Sequence, residues 1–596
     1  MTFTTRPTLQ GTFGMVSSTH WIASQSAMGV LERGGNAFDA AVCAGFVLQV
    51  VEPHLNGPGG DLPAIVVTAE DPTPRVLCGQ GPAPAAATIA RYTGEGLTLV
   101  PGSGPLAATV PGAFDAWLLM LRDHGTQSLR EVLEPAIGYA RYGHPLLAQV
   151  SATVESVRHL FTGDWTTSAQ LWLHGGEAPK AGALFRNTAW ADTLTRIVAE
   201  GEAGGSDRVT QVDAARRAWS QGFVAEAVDA FSRKPFRDSS GERHGGLVTG
   251  ADLAGWEGTW EPATTLEWQG HTVAKTGPWG QGPALLQVLG MLDALGDPAE
   301  LDLLSANGIH TVVETFNLAG ADREAWYGSG EEPMAALLSA EYARERAGLV
   351  SDRADLGIHP GRPDGRMPRL PSWVLGSGAS GAGRAVVDAT IGEPTVAASG
   401  ATRGDTCHVD VVDALGNMVS ATPSGGWLQS SPAVPGLGFC LGSRMQMFWL
   451  EEGLASSLAP GKRPRTTLSP TLVLRDGAPY LACGSPGGDQ QDQWQLLLLL
   501  RTLLQGQSLQ EAIDAPAFHS TGFPGSFYPR DREPGGVVVE SRVGAAVVSD
   551  LGARGHVVTV SDAWSLGRLC AVTRSRGGML RAGANPRGMQ GYAVGR

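Results

Sequence analysis

The sequence predicts an α+β fold, and three observations carry that prediction. Val409, Val411 and Val412 give His408–Asp413 a partial period-two alternation, which is a strand signal. A turn at Ala414-Leu415-Gly416-Asn417 then leads into Met418–Ala421, so the two runs form a β-hairpin. By contrast, Ala37–Val50 is apolar almost all round, as a helix buried on every side must be. Glycine is also abundant, 81 of 596 residues against a usual share of ~7%, which suits a fold with many tight turns.

Taken in order, the chain opens with a strand candidate in G-M-V-S-S from Gly14, followed by a helix near Ser24–Arg33. Gly34-Gly35 ends that helix, and Asn36 caps the next, with Asp39 in the capping-box position. Helical patterning returns through Ala136–Tyr142, and Thr249 reads as an N-cap. From Ser351 to Asp405 the chain is rich in Gly, Pro, Ala, Ser and Arg without sustained periodicity. The hairpin at 408–421 follows at once. A second hairpin signal leads through L-A-C-G-S-P-G-G-D-Q, residues 481–490, to an apolar helix beginning near Trp494.

Thr406 stands where the aperiodic segment meets the strand. A threonine hydroxyl is a weak nucleophile unless a base sits beside it, and a free α-amine on the same residue is one such base. That amine exists only if the Asp405–Thr406 bond is cut, by hydroxyl attack on the preceding carbonyl, an N-to-O acyl shift and ester hydrolysis. A lone threonine opening a strand is ordinarily just a β-branched residue in a suitable place. A linker between independent domains is one reading of Ser351–Asp405; a flexible tail leading to a scissile bond explains it better, and only that reading needs a nucleophile immediately downstream.

Composition excludes several classes. At 42% hydrophobic and 17% charged residues the chain can bury a large core. A net charge of −14 with no basic cluster argues against binding to a nucleic-acid backbone. Met1–Met15 has no basic segment followed by an apolar core, and the run around Leu496–Leu500 is too short for a membrane span, so a cytoplasmic location is expected. Cys43, Cys78, Cys407, Cys440, Cys483 and Cys570 form no C-x-x-C pair and read as buried free thiols. His20, His54 and His408 lack metal-ligand spacing, which disfavours metal hydrolysis. His54, beside Pro53 in a turn, reads as structural.

G-D-T-C-H-V-D-V-V-D-A-L-G-N-M-V-S-A-T resembles the start of the small subunit of the γ-glutamyltranspeptidase family, within the N-terminal-nucleophile hydrolase superfamily. G-G-N-A-F-D-A-A-V, V-P-G-A-F-D-A-W, G-K-R-P-R-T-T-L-S-P-T and N-P-R-G-M-Q-G match other stretches in the same order. The resemblance implies a four-layer αββα sandwich built from two pieces of one precursor. Residues 1–405 would be the large segment, with 351–405 its flexible tail, and 406–596 the small one. Together they form one globule.

The same resemblance implies roles. Thr406 would be the nucleophile, Ser424 the hydroxyl that hydrogen-bonds it, and Gly487 and Gly488 the oxyanion donors. Thr466 and Thr467 fall where two hydroxyl residues hold the substrate carboxylate. The family's α-carboxylate arginine is replaced by Gln80, and one aspartate that pairs with the α-amine is replaced by Gln446. The assisting asparagine falls near Gly426, and the family's proline- and serine-rich loop becomes Gly277–Gln281. Arg465, an extra cation beside Thr466, is a candidate replacement for the lost anchor, or else a surface arginine before a strand.

The expectation is therefore a self-processing amidohydrolase or acyltransferase that cleaves γ-glutamyl amides of the glutathione type through a threonine acyl-enzyme, passing the acyl group to water or an amine. It needs no metal or organic cofactor, and its partners are a small amide substrate and its own two fragments. The altered recognition positions leave open another acyl group, such as a dicarboxylic-acid amide or a β-lactam side chain. A non-catalytic binding relative is disfavoured by Thr406 with Gly487-Gly488. Cys407 would be the nucleophile only if cleavage fell one bond later.

Overall fold

The computed structural model describes residues 3–330, 332–376 and 406–596. Two seven-stranded antiparallel sheets face one another. The first runs Tyr592–Gly595, Gly14–Ser18, Val409–Asp413, Met418–Ala421, Leu62–Val67, Arg75–Gly79 and Thr259–Pro262. The second runs Leu9–Gly11, Leu580–Ala584, Cys570–Arg574, Ala478–Gly484, Thr471–Arg475, His271–Lys275 and Thr264–Trp268. Each sheet takes strands from both sides of Thr406.

The strand pattern explains the layers. Met15, Ile65, Val67, Val76, Val412 and Met418 of the first sheet pack against Ala274, Leu472, Ala482, Val572 and Leu580 of the second, forming the middle of the sandwich. Val16, Val66, Val409, Val411 and Val419 point the other way, into the helices Trp21–Glu32, Ala37–Val51 and Ala113–His124. On the far side, Val473, Leu481 and Ala571 pack against the helices Pro283–Leu295, Ala306–Trp326 and Gln491–Leu499. This is the expected αββα order. It also explains why the alternation at 409–413 is only partial: both faces of the strand are buried, so few positions are left for polar residues.

The hairpin forms as expected, in register Val409↔Ala421 and Val412↔Met418. All fifteen residues of Ala37–Val51 are buried, and Asn36 with Asp39 makes the capping box. Thr249 caps Gly250–Ala254. Two helices start earlier than the pattern suggests. Trp21–Glu32 begins ahead of Ser24 because the His20 ring accepts from the Ile22 amide. Leu129–Tyr142 begins ahead of Ala136 because Ser128 and Glu131 form a capping box, with Pro135 tolerated inside.

Residues 351–376, the first part of the anticipated tail, lie against the body. The Asp355 amide donates to Glu314 Oε2 at 3.1 Å and the Gly361 amide to Asp322 Oδ1 at 2.7 Å. Val374 is buried with Leu99, Trp449 and Leu454. The rest of that tail, 377–405, lies outside the described residues. All six cysteines are free and buried, and no described helix is long and apolar enough to cross a membrane.

Candidate active site

Thr406 is 1% exposed and forms an antiparallel bridge with Ser424, its Oγ1 donating to Ser424 Oγ at 3.3 Å. The Cys407 amide donates to Pro423 O, which holds the first residues of the hairpin strand against the end of its partner. Ser424 in turn exchanges backbone hydrogen bonds with Asp61, at 2.7 and 3.0 Å. Thus the pair expected as nucleophile and helper is in direct contact, although 18 residues apart in sequence.

The neighbours of Thr406 are occupied differently. Cys407 Sγ donates to Glu52 Oε2 at 3.0 Å and accepts from Asn56 Nδ2. Burial and the adjacent Glu52 carboxylate push the Cys407 thiol far above its ordinary range, so it stays protonated and does not compete as nucleophile. His408 spends both ring nitrogens, on Thr422 Oγ1 at 2.9 Å and Asp410 Oδ1 at 2.8 Å, which leaves none for a metal. Burial lowers His54 to about 3, so it is a neutral core imidazole.

The second sheet reaches this hairpin at Gly484, where a Cβ would stand 2.1 Å from His408 Cε1, so only glycine lets the two sheets approach here. The chain then turns through Gly487, whose φ of +110° is costly for a residue with a side chain. No described residue accepts a hydrogen bond from the Gly487 or Gly488 amide. The Gly488 carbonyl is fixed by Gln281 Nε2 at 3.1 Å. One residue earlier, Gly280 bridges to Thr466, whose amide donates to Trp279 O. The rebuilt loop 277–281 thereby ties the glycine pair to the Thr466-Thr467 segment. Thr466 Oγ1 accepts from the Leu468 amide, while Thr467 Oγ1 is buried without a partner among the described residues.

Of the three altered recognition positions, Gln80 is buried with neither amide atom bonded to a described residue. Gln446 is spent: its Oε1 accepts from the Tyr528 amide and its Nε2 donates to Gly102 O and Ser443 Oγ. Gly426, at φ +67°, packs its backbone against Gly59 and Gly60. Arg465 is not a surface residue. Its guanidinium is wholly buried, donating to Ser526 Oγ at 2.9 Å and facing Glu324 at 3.5 Å.

Sequence reasoning missed Arg444. It is buried, with Nε on Asp61 Oδ2 at 2.7 Å, while Nη1, Nη2 and Asp61 Oδ1 find no partner among the described residues. Trp427 and Phe527 lie beside the guanidinium, with ring centroids at 5.7 and 6.0 Å. Arg444 thus hangs on the same Asp61 that is bonded to Ser424 next to Thr406. The signal was present in G-S-R-M-Q-M, an arginine in an otherwise uncharged stretch two positions before Gln446.

Comparison with known proteins accords with this arrangement. The sequence profile of the family Gamma-glutamyltranspeptidase matches residues 23–595. The chain is 29% identical to the glutathione hydrolase-like YwrD proenzyme of Bacillus subtilis, over 98% of this chain and 99% of that one. It is also 29% identical to the oxamate amidohydrolase proenzyme of Klebsiella pneumoniae, over 97% of each. Among solved structures, LmbA2991HD superposes with a TM-score of 0.93 at 56% identity, covering both chains fully. The cephalosporin acylase from Bacillus halodurans gives 0.81 at 25%, covering 100% of this chain and 97% of its own. With its profile match running almost end to end, the chain belongs to the gamma-glutamyltranspeptidase family.

Proposed function

We propose that this chain is a self-processing threonine amidohydrolase whose substrates are amides of carboxylate-bearing acyl groups. The observation that carries this reading is the buried Thr406–Ser424 hydroxyl pair at the edge of the hairpin. In the precursor, Thr406 Oγ attacks the Asp405 carbonyl, the acyl group shifts from nitrogen to oxygen, and water hydrolyses the ester. This frees the Thr406 amine and leaves two associated fragments, 1–405 and 406–596. Relatives described as proenzymes support such maturation.

In turnover the Thr406 hydroxyl gives its proton to that amine as Oγ bonds to the substrate carbonyl carbon. Ser424 Oγ orients the attacking oxygen, and the Gly487 and Gly488 amides receive the oxyanion. The C–N bond breaks as the leaving nitrogen takes the proton. Water, or an acceptor amine in transfer, then attacks the acyl ester and releases Thr406. Thr466, Thr467 and Gln80 line the polar wall on which the acyl group is held.

For the acyl group, Arg444 replaces the anchoring charge absent at Gln80: its two open nitrogens match a carboxylate's two oxygens. Asp61 Oδ1 beside it accepts from an α-ammonium, which favours the γ-glutamyl member of the class. A glutaryl or other dicarboxylic-acid amide is the second reading, supported by the Arg444 donors alone and by a relative that is an oxamate amidohydrolase. Arg465, its two terminal nitrogens directed at Ser526 and Glu324, contributes to the shape of the wall rather than to the anchor.

The test compares γ-glutamyl-p-nitroanilide with glutaryl-p-nitroanilide, which differ only in the α-ammonium. Higher kcat/KM on the first, lost selectively in Asp61→Asn, is expected. Turnover of neither, with an uncut chain, would sink the whole reading.

A further inference from the structure

A second polar cluster lies on the outer helical layer and shares no residue with the Thr406 group. His310 and Glu314, four apart on the helix Ala306–Trp326, share one helix face. His556 lies just before the strand Val557–Ser561. The three residues offer ligand atoms that all lie within 4.8 Å of one another, and they are 1%, 4% and 6% exposed.

Their hydrogen bonds assign the tautomers. His310 Nε2 lies 2.8 Å from Ser351 O, and His556 Nδ1 lies 3.2 Å from Gly535 O. A carbonyl oxygen only accepts, so both of these nitrogens carry hydrogen. In neutral rings the remaining nitrogens, His310 Nδ1 and His556 Nε2, are then both bare lone pairs, yet they face each other at 2.8 Å. Two lone pairs at that separation repel unless a cation or an additional proton stands between them. The Glu314 carboxylate supplies the matching negative charge, held in place by Asn317 Nδ2 at 3.3 Å and the Asp355 amide at 3.1 Å. Imidazoles whose far N–H groups are fixed on backbone carbonyls, beside a carboxylate that is itself hydrogen-bonded, are the usual outer shell of a metal site.

We propose that His310 Nδ1, His556 Nε2 and Glu314 bind a divalent transition-metal ion, zinc by the character of the ligands. Two imidazoles and one carboxylate suit Zn²⁺ in tetrahedral coordination, with the fourth position left to water. Metal–nitrogen bonds of about 2.0–2.1 Å place tetrahedral nitrogens roughly 3.3 Å apart, so the pair opens by about half an ångström on binding. His310 and Glu314 precede Thr406 in the chain and His556 follows it, while Ser351 and Asp355 belong to the segment that runs towards the cleavage bond. A metal here therefore pins three separate stretches together on either side of that bond.

The experiment uses the full-length purified protein, stripped with a chelator and titrated calorimetrically with ZnCl₂. One equivalent per chain is expected, with the thermal midpoint raised by about a few degrees at a hundredfold excess over Kd. His310→Gln and His556→Gln should each lose that equivalent while retaining turnover. X-ray absorption of the wild-type Zn²⁺ complex must show two imidazole ligands, a readout that needs no variant to fold. No uptake by the wild type would overturn the site and assign the short contact to a shared proton. An equivalent retained in the variant carrying both His310→Gln and His556→Gln, or a zinc ion without imidazole ligands, would overturn it as well.

Discussion

Two buried arginines, Arg444 and Arg465, sit in neighbouring walls of this molecule and are equally hidden from solvent, but their surroundings differ in kind. Arg465 is enclosed by its own fold: Ser526 Oγ takes one nitrogen, Glu324 faces another, and Ser526 is also held by Asp489, which is paired with Arg323. Burial, followed by the nearby Arg323 charge, lowers Arg465 to about 10, so its surroundings offset the cost of the buried cation only in part. Arg444 has one carboxylate, Asp61, through Nε, and two nitrogens with no described partner. A buried charged donor without an acceptor costs free energy unless something else arrives to accept it. The two differ in which donors are taken rather than in depth: both terminal nitrogens of Arg465 face Ser526 and Glu324 and its Nε has no described partner, whereas in Arg444 it is Nε that is paired and both terminal nitrogens that are not.

The predictions probe that contrast. The largest effect belongs to Thr406→Ala, which should stay a single 62.1 kDa chain by intact mass and lose turnover by about 10⁴-fold or more. The wild type should give fragments of about 42 and about 20 kDa, the smaller beginning Thr406-Cys407-His408. Next comes Arg465→Ala. Breaking its buried network should remove about 3–5 kcal/mol of stability in denaturant titration while leaving KM for acidic amides within about twofold. A large rise in KM with an unchanged unfolding midpoint would place the anchor at Arg465 and break the comparison.

Arg444→Gln should do the reverse, lowering kcat/KM for both glutaryl and γ-glutamyl anilides by about 10–100-fold through lost charged hydrogen bonds. Because it also strands Asp61, the double variant with Asp61→Asn is the sharper probe: it should recover stability without recovering rate. Ser424→Ala removes the hydrogen bond to Thr406 and should slow fragment formation by about tenfold at most, followed by gel densitometry. The smallest effect is expected from Cys407→Ala. Glu52 keeps Thr19 and Gln590 as donors, so maturation and turnover should stay within about twofold; loss of both would make the thiol a participant.

What the sequence by itself determined is local chemistry and periodic pattern. The hairpin at 409–421 and the capped helix Ala37–Val51 were legible because turn residues, caps and period-two runs act within a few positions. The order of motifs was enough for the family and, through it, for the αββα layers. Tertiary structure alone decided the rest. Asp61 meets Arg444 across 383 residues, and His310 meets His556 across 246, so neither pairing leaves a spacing that can be read along the chain. Gln446 looked like a substrate contact by position, but the fold spends it on the Tyr528 amide. Arg465 read from sequence as either a replacement anchor or a surface cation, and the fold buries it against Glu324. Hydrogen bonds saturate: a side chain already paired by the fold is lost to the ligand, and only the folded chain shows which donors remain open.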